Sequence, residues 1–179
     1  MQPDNKGRIR LEYVIPAKGL IGFHTEFLSL TKGTGLMSHI FDHFGPVTKK
    51  SSSNRKKGAL IASVNGKALG YSLFNIQERG QLLIGHGVEV YEGMVVGIHS
   101  RDNDLVVNVT KAKQLTNIRA AGTDENIVLT PVRKMSIAEQ LSILNTDEAL
   151  EITPKSCRLR KAILDPNDRK RSEKNNLIT

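Results

Sequence analysis

Residues 8–33, RIRLEYVIPAKGLIGFHTEFLSLTKG, contain the pattern that decides the fold class. Apolar and polar side chains alternate over 8–16, as they do in a β-strand that ends at a proline. Over 17–33, apolar side chains recur every three or four residues, which predicts an amphipathic helix capped by Gly33. A second strand is predicted over 33–47, GTGLMSHIFDHFGPV. Strand, helix and strand in succession predict an α+β sandwich, although so few elements bury too little apolar surface to complete one.

Short strands are predicted to dominate the chain after residue 49. The polar, basic run KKSSSNRKKG at 49–58 predicts a boundary between a domain at 1–48 and a second domain at 49–179. Asn65-Gly66 lies between apolar runs and predicts a β-hairpin over 59–77. Further strands are predicted at 81–84, 93–99, 104–109 and 127–130. This spacing favours a mixed, β-barrel-like sheet.

The C-terminal quarter combines helical and strand patterns. Ser136 with Glu139 forms a capping-box pattern, which predicts that a helix begins there. Its predicted buried stripe is Ile137, Leu141 and Leu144. Late strands are predicted at 149–153 and 155–161. Asp165 followed by Pro166 predicts a last helix that continues into a charged tail.

The composition excludes several classes of protein. The formal net charge of +8 points to a polyanionic partner, with nucleic acid first. A single cysteine excludes a disulfide scaffold and a cysteine-based zinc site. There is no signal-peptide pattern and no run of 18 apolar residues, so we expect a cytoplasmic protein without a membrane partner.

No motif predicts catalysis. Gly66-Lys67 lacks the upstream glycine and the hydroxyl residue of a phosphate-binding loop. His39 and His43 would form a zinc pair on a helix, but the segment is interpreted as a strand, where they are surface histidines. Cys157 fits a small core side chain better than a nucleophile. We therefore predict no enzymatic activity, no metal site, no bound cofactor and no small-molecule substrate in this chain.

Two basic segments remain, of which the first is KAKQLTNIRAAGTDE at 111–125. It has neither strand nor helix periodicity, which predicts a mobile loop at about 110–126. Its candidate RNA-contacting residues are the cations Lys111, Lys113 and Arg119 and the neutral donors Gln114, Thr116 and Asn117. The alternative is a solvated loop whose charge only maintains solubility.

The second basic segment is the C-terminus, where residues 155–179 contain eight basic and three acidic residues. Strand periodicity places Arg158 and Arg160 on one face. Arg169, Lys170 and Arg171 follow in the charged tail. This imbalance favours contact with a polyanion. The alternative function is a protein-interaction module that docks its basic surface on an acidic partner.

Four blocks of sequence resemble one family. They are IPAKGLIGFHTEFLSLTKGTG (15–35), GHGVEVYEGMVVGIHSRDNDLVVN (85–108), LTNIRAAGTDE (115–125) and EITPKSCRLRK (151–161). Together they resemble the C-terminal part of the BipA/TypA family of bacterial translational GTPases. The resemblance covers nearly the whole chain.

The resemblance implies a fold and a function. Residues 1–48 would be the second half of a ferredoxin-like sandwich similar to domain V of elongation factor G, and 49–179 the family's own C-terminal domain. Family members bind the ribosome, contact large-subunit rRNA and the acceptor end of A-site tRNA through an extended loop, and act in stress or cold adaptation and large-subunit assembly. GTP and Mg²⁺ would belong to an N-terminal domain absent from this chain. The loop maps to 110–126, with Lys111, Lys113 and Arg119 as its leading contacts.

Overall fold

The computed structural model describes residues 2–4, 7–46, 55–113 and 127–176. The chain divides into two compact units, Met1–Ser52 and Ser53–Thr179. We call them unit 1 and unit 2.

Unit 1 contains two short strands and two helical segments. Strand β1 (Gln2–Asp4) pairs antiparallel with β2 (Arg8–Arg10). A 3-10 helix (Ala17–Leu20) precedes helix α1 (Phe23–Leu30). The predicted helix is thus confirmed, whereas the strand predicted over 8–16 extends only to Arg10.

Helix α1 ends with the predicted glycine signal. Gly33 has a φ of 80° and donates its backbone N–H to the carbonyl of Leu28 at 2.7 Å, which satisfies one of the last carbonyls of the helix. The strand predicted over 33–47 is wrong for its described part, because 34–46 has no regular structure. A strand needs a partner for its backbone groups, and no described strand pairs with these residues.

The described side chains of unit 1 are all at least partly exposed. Ile40 and Phe44 are more than nine-tenths exposed, at 92% and 93%. One two-turn helix and two three-residue strands cannot enclose such side chains. The described part of unit 1 therefore has no closed core, as its small number of elements predicted.

Unit 2 is built around a four-stranded mixed sheet. The spatial order is β5 (Gly80–Leu82), β7 (Val95–His99), β3 (Ala59–Ala62) and β8 (Leu105–Val107). β3 runs antiparallel to β7 and parallel to β8. Because β3 is central and covered on both faces, all four of its residues are at most 1% exposed.

Helix α2 (Gly70–Gln77) covers one face of this sheet. Its Leu73 and Ile76, three residues apart, are buried in the same cluster as Leu60 and Val96 of the sheet. This apolar spacing explains why the segment is helical.

The other face of the sheet packs on a hairpin formed by β9 (Glu148–Ile152) and β10 (Cys157–Lys161). Leu159 of the hairpin is buried with Ile61 of β3. A single bridge between Met94 and Arg160 joins the hairpin to the segment before β7. The predicted late strands are therefore confirmed.

The hairpin predicted at Asn65-Gly66 is wrong. β4 (Gly66–Lys67) pairs antiparallel with β6 (Glu89–Val90), which is more than twenty residues away, and the chain after β4 enters α2. The Asn65 side chain instead accepts a hydrogen bond from the backbone N–H of Glu92 at 2.8 Å. A local turn signal was outweighed by long-range pairing and by the helical spacing of Leu73 and Ile76.

Helix α3 (Ile137–Ser142) begins with the predicted capping box. Glu139 N–H donates to Ser136 Oγ at 3.3 Å, and Ser136 N–H donates to Glu139 Oε2 at 2.8 Å. The predicted buried stripe is wrong for Ile137 and Leu141, which are 48% and 40% exposed. The prediction is confirmed for Leu144, which packs on the core with Ile143 just after the helix.

The architecture is α+β, as predicted. The described strands of unit 2 form one open four-stranded sheet and two two-stranded sheets, and they do not close into a barrel. The predicted strands at 81–84, 93–99 and 104–109 correspond to β5, β7 and β8, with shifted ends. Residues 127–130 are not a strand.

Candidate nucleic-acid interface

Helix α2 holds the chain that leads into the basic segment. The Ser72 side chain is buried, and its Oγ donates to the carbonyl of Lys111 at 2.7 Å. Leu69 N–H, at the start of the helix, donates to the carbonyl of Val109 at 2.9 Å. Two hydrogen bonds thus attach residues 109–111 to the first turn of α2.

The same helix holds the chain that follows the basic segment. Gln77 Nε2 donates to the carbonyl of Val128 at 3.2 Å, and Gln77 Oε1 accepts the backbone N–H of Thr130 at 2.9 Å. Leu129, between them, packs on the core. We call residues 109–113 and 127–130 the two stems.

Both stems therefore share one rigid support. Ser72 and Gln77 are five residues apart, a distance of about 7.5 Å along the helix axis. The two points at which the stems are attached are therefore close together on unit 2.

The described part of the predicted RNA-contacting loop is its first stem. Lys111 and Lys113 are both exposed. The other candidates lie outside the described residues: Gln114, Thr116, Asn117 and Arg119. The structure thus places two of the six loop candidates, and it places both in a stem fixed by α2.

Arg158 and Arg160 lie on one face of β10, as strand periodicity predicted. They alternate with the buried Leu159 and Lys161, and in the ladder they lie opposite Glu151 and Ala149 of β9. Arg158 also lines, with Lys155, an open hollow of about 270 Å³ at the tip of the hairpin.

Tyr91 and Glu151 give this arginine face a fixed polar partner. Tyr91 Oη donates to Glu151 Oε2 at 2.5 Å. Burial and the hydrogen bond to Glu151 raise the pKa of Tyr91 to about 12, against the opposing charges of Arg160 and Arg158. The tyrosine hydroxyl therefore stays protonated, and Glu151 partly offsets the positive charge of the face.

The charged tail forms helix α4 (Pro166–Asn176). Asp165 Oδ1 accepts the backbone N–H groups of Asn167 and Asp168 at 2.7 and 3.0 Å, which confirms the predicted cap. These hydrogen bonds lower the pKa of Asp165.

The three basic candidates of α4 differ in their surroundings. Arg169 Nη1 donates to the carbonyls of Ile163 and Leu164 at 3.1 and 2.5 Å, so it ties the helix to the chain before it. Arg171 pairs with Asp168 at 3.2 Å on the surface. Lys170 is exposed. Arg169 thus has a structural role that the sequence did not indicate.

Sequence reasoning missed a buried ionic cluster around Lys161. Lys161 is 1% exposed, and its Nζ lies 2.5 Å from Asp104, 2.5 Å from Asp147 and 3.2 Å from Glu148. Arg55 Nη2 also donates to Glu148 Oε1 at 2.5 Å. Lys161 is one of the eight basic residues in 155–179, and its charge is therefore neutralised inside the protein.

The cluster perturbs the titration of its members in opposite directions. Burial alone would raise the pKa of Asp104, but hydrogen bonds from Lys161 and from the backbone N–H of Ala59 lower it. Burial alone would lower the pKa of Lys161, but its bonds to Asp104 and Asp147 raise it. Both groups are therefore held in their charged forms.

The other side chains considered for catalysis do not assemble into a site. His43 Nδ1 lies 2.7 Å from Asp42, and both side chains are exposed. Within the described ranges, no group of three or more histidine, cysteine or carboxylate residues could hold a metal ion. Cys157 is half-buried. Among the same residues, no helix is long and apolar enough to cross a membrane.

Two family models match the chain, and the boundary between their matches lies close to the boundary between the two units. Residues 1–55 match the elongation factor G C-terminus. With the α+β fold, this match places the first part of the chain in the class of elongation-factor-G-like C-terminal domains. Residues 57–166 match the TypA/BipA C-terminal domain, and the chain belongs to this family.

Curated relatives agree with this assignment. The chain is 50% identical to proteins named "Large ribosomal subunit assembly factor BipA" from Salmonella typhimurium and Escherichia coli K12, over 97% of its length. The protein of that name from Haemophilus influenzae is 50% identical over the whole chain. The chain spans 29% of the length of each of these relatives.

Proposed function

We propose that this chain is the ribosome-docking C-terminal part of a GTP-dependent translation factor that acts in large-subunit assembly and in stress or cold adaptation. The names of its curated relatives support the link to the large ribosomal subunit. GTP and Mg²⁺ would be bound by a domain that this chain does not contain. In this proposal the chain itself binds RNA and performs no chemistry.

The observation that carries the proposal is the attachment of both stems to α2. It fixes the stem that carries the exposed Lys111 and Lys113, and the sequence that follows this stem contains Arg119 and the neutral donors Gln114, Thr116 and Asn117. Side chains of this kind contact phosphates and 2′-hydroxyls. We propose that this segment contacts large-subunit rRNA and the acceptor end of A-site tRNA.

A second contact is proposed for the arginine face. Arg158 and Arg160 are half-buried and fixed by the β9–β10 ladder, and arginine forks suit phosphate oxygens. Lys170 on α4 is exposed and adds to this contact. Arg169 and Arg171 already have partners within the chain, so they contribute less. Arg160 Nη1 also donates to the carbonyls of Lys161 and Ala162, so Arg158 is the leading contact of the arginine face.

Charge reversal tests the role of the stem. Lys111→Glu with Lys113→Glu changes the net charge by four units at an exposed site, and we expect about tenfold weaker binding of the chain to protein-free large-subunit rRNA. The matched control is Lys56→Glu with Lys57→Glu, an equal change at two other exposed lysines. Equal binding by the two double variants would contradict the assignment of the stem.

Capture of the chain on whole large subunits separates RNA binding from docking on an acidic protein. Nuclease treatment of large subunits must abolish capture of the chain if RNA is the partner. Capture that survives complete digestion of the RNA would favour the protein-interaction alternative.

A further inference from the structure

The outward face of α2 carries an unusual share of the aromatic residues of unit 2. Residues 53–179 contain three aromatic residues, Tyr71, Phe74 and Tyr91. Tyr71 and Phe74 are 37% and 38% exposed. In a unit with so few rings, two of the three lie on the surface of one helix rather than in the core.

Tyr71 and Phe74 are neighbours on that surface. Side chains three residues apart on a helix lie on the same side, one turn above the other. Asn75 is also exposed on this side. No charged residue occurs within α2, where this face combines two rings with a neutral amide; the exposed C-cap residue Glu78 follows one turn after Phe74.

The two stems lie on either side of this face. At about 100° per residue, Ser72 is about 100° from Tyr71 in one direction, and Gln77 is about 60° from Phe74 in the other. Ser72 holds the stem that carries Lys111, and Gln77 holds the stem at Val128 and Thr130. The rings are therefore next to the proposed phosphate contacts.

We propose that Tyr71 and Phe74 form a stacking platform for unpaired bases of single-stranded RNA. The inference rests on the proposed function and names the form of RNA that this part of the chain recognises. Exposed rings beside cations match the chemistry of a single strand, whose bases stack while its phosphates are neutralised. A duplex, whose bases are already stacked, cannot use the rings. Asn75 can donate to or accept from a base edge.

Leucine substitution tests the platform. Tyr71→Leu with Phe74→Leu removes both rings and keeps apolar side chains, and we expect at least about tenfold weaker binding of a short single-stranded oligoadenylate. Binding of an RNA duplex should change less than about twofold, because its contacts are to phosphates. Ile137→Ala, which truncates an exposed apolar side chain on α3, is the matched control.

Tyrosine fluorescence gives a second readout that does not depend on the leucine variants folding. The chain has no tryptophan and three tyrosines. We expect oligoadenylate to quench the fluorescence of the unmodified chain and to leave that of Tyr71→Phe nearly unchanged. Tyr71→Phe keeps a ring, so its affinity should remain within about twofold of that of the unmodified chain.

The outcomes separate the platform from the proposed function. If the chain binds both RNAs and the leucine variant binds oligoadenylate as tightly, or if quenching persists in Tyr71→Phe, the platform is wrong and the proposed function stands. An equal loss of single-strand and duplex binding also overturns the platform. If the unmodified chain binds neither RNA, both proposals are overturned.

Discussion

Lys161 joins two parts of unit 2 that are far apart in sequence. Its ammonium contacts Asp104, just before β8, Asp147, just before β9, and Glu148, the first residue of β9. A buried charge is tolerated because its partners surround it, and removal of one partner leaves the others without compensation. The cluster therefore fixes the β9–β10 hairpin against the four-stranded sheet.

Lys161→Met is expected to destabilise the chain by about 3–5 kcal/mol, because three carboxylates lose their shared cation. The measurement is urea unfolding, with the slope and midpoint fitted together. Lys155→Met, at an exposed lysine of the same hairpin, should change stability by less than about 0.5 kcal/mol. Equal midpoints for the two variants would show that the cluster does not stabilise the fold.

Asp104 makes the stability sensitive to acid. Its pKa is lower in the folded chain than the usual 3.8, so its contribution is complete above about pH 4 and is lost as the pH falls through the folded value. Asp104→Asn should lower stability at neutral pH and flatten the acid limb of the stability curve. Urea unfolding from pH 7 to pH 2 measures this. An acid limb as steep as that of the unmodified chain would contradict the assignment.

The buried cluster was not predictable from the sequence around Lys161. Its partner Asp104 lies 57 positions away, and the run CRLRK gives Lys161 the same appearance as Arg158 and Arg160. Strand periodicity correctly separated the two arginines from Leu159. Strand periodicity also places Lys161 on the same face as Leu159. It did not show that Lys161 would be buried and surrounded by carboxylates.

Helix α2 links the core of unit 2 to the proposed interface. Leu73 and Ile76 face the core, Ser72 and Gln77 hold the stems, and Tyr71 with Phe74 faces outward. The core-facing residues and the rings occupy opposite sectors of the helix surface, and Ser72 and Gln77 lie between them, one on each side. A change in α2 therefore affects how the stems are held even where the core is untouched.

Gln77→Met is expected to loosen the second stem without unfolding unit 2. The variant keeps the size of the side chain and loses the acceptor for Thr130 N–H. Because one hydrogen bond contributes about 1 kcal/mol, hydrogen exchange at Thr130 should become about fivefold faster. Asn75→Ala on the same helix is the control. Unchanged exchange at Thr130 in Gln77→Met would mean that Gln77 does not hold the stem.

Local signals predicted some elements and misled on others for physical reasons. The capping box at Ser136 and the aspartate cap at Asp165 are complete within four residues, so the sequence was sufficient. The Asn65-Gly66 signal failed because the partner of β4 is β6, which lies beyond α2. The strand predicted over 33–47 failed in its described part because the local pattern does not show whether a partner strand is present.

The chain as a whole combines a unit that matches the elongation factor G C-terminus with a unit that carries the basic interface. Not all of its net charge of +8 is available to a partner, because Lys161 and Arg55 are both paired with the buried carboxylate of Glu148. The proposed RNA contacts are the first stem and the arginine face. The net charge predicts a polyanionic partner, which stays a prediction, whereas the burial of Lys161 could be read only from the fold.

The salt dependence of binding tests the central claim, that unit 2 binds RNA through cations presented by α2. Affinity for large-subunit rRNA is measured between about 50 and 200 mM salt, and the logarithm of affinity is plotted against that of the salt concentration. The account predicts a steep negative slope that becomes shallower by about 1.5–2 in Lys111→Glu with Lys113→Glu and stays unchanged in Lys56→Glu with Lys57→Glu. A flat plot for the unmodified chain, or equal slopes for the two double variants, would contradict it.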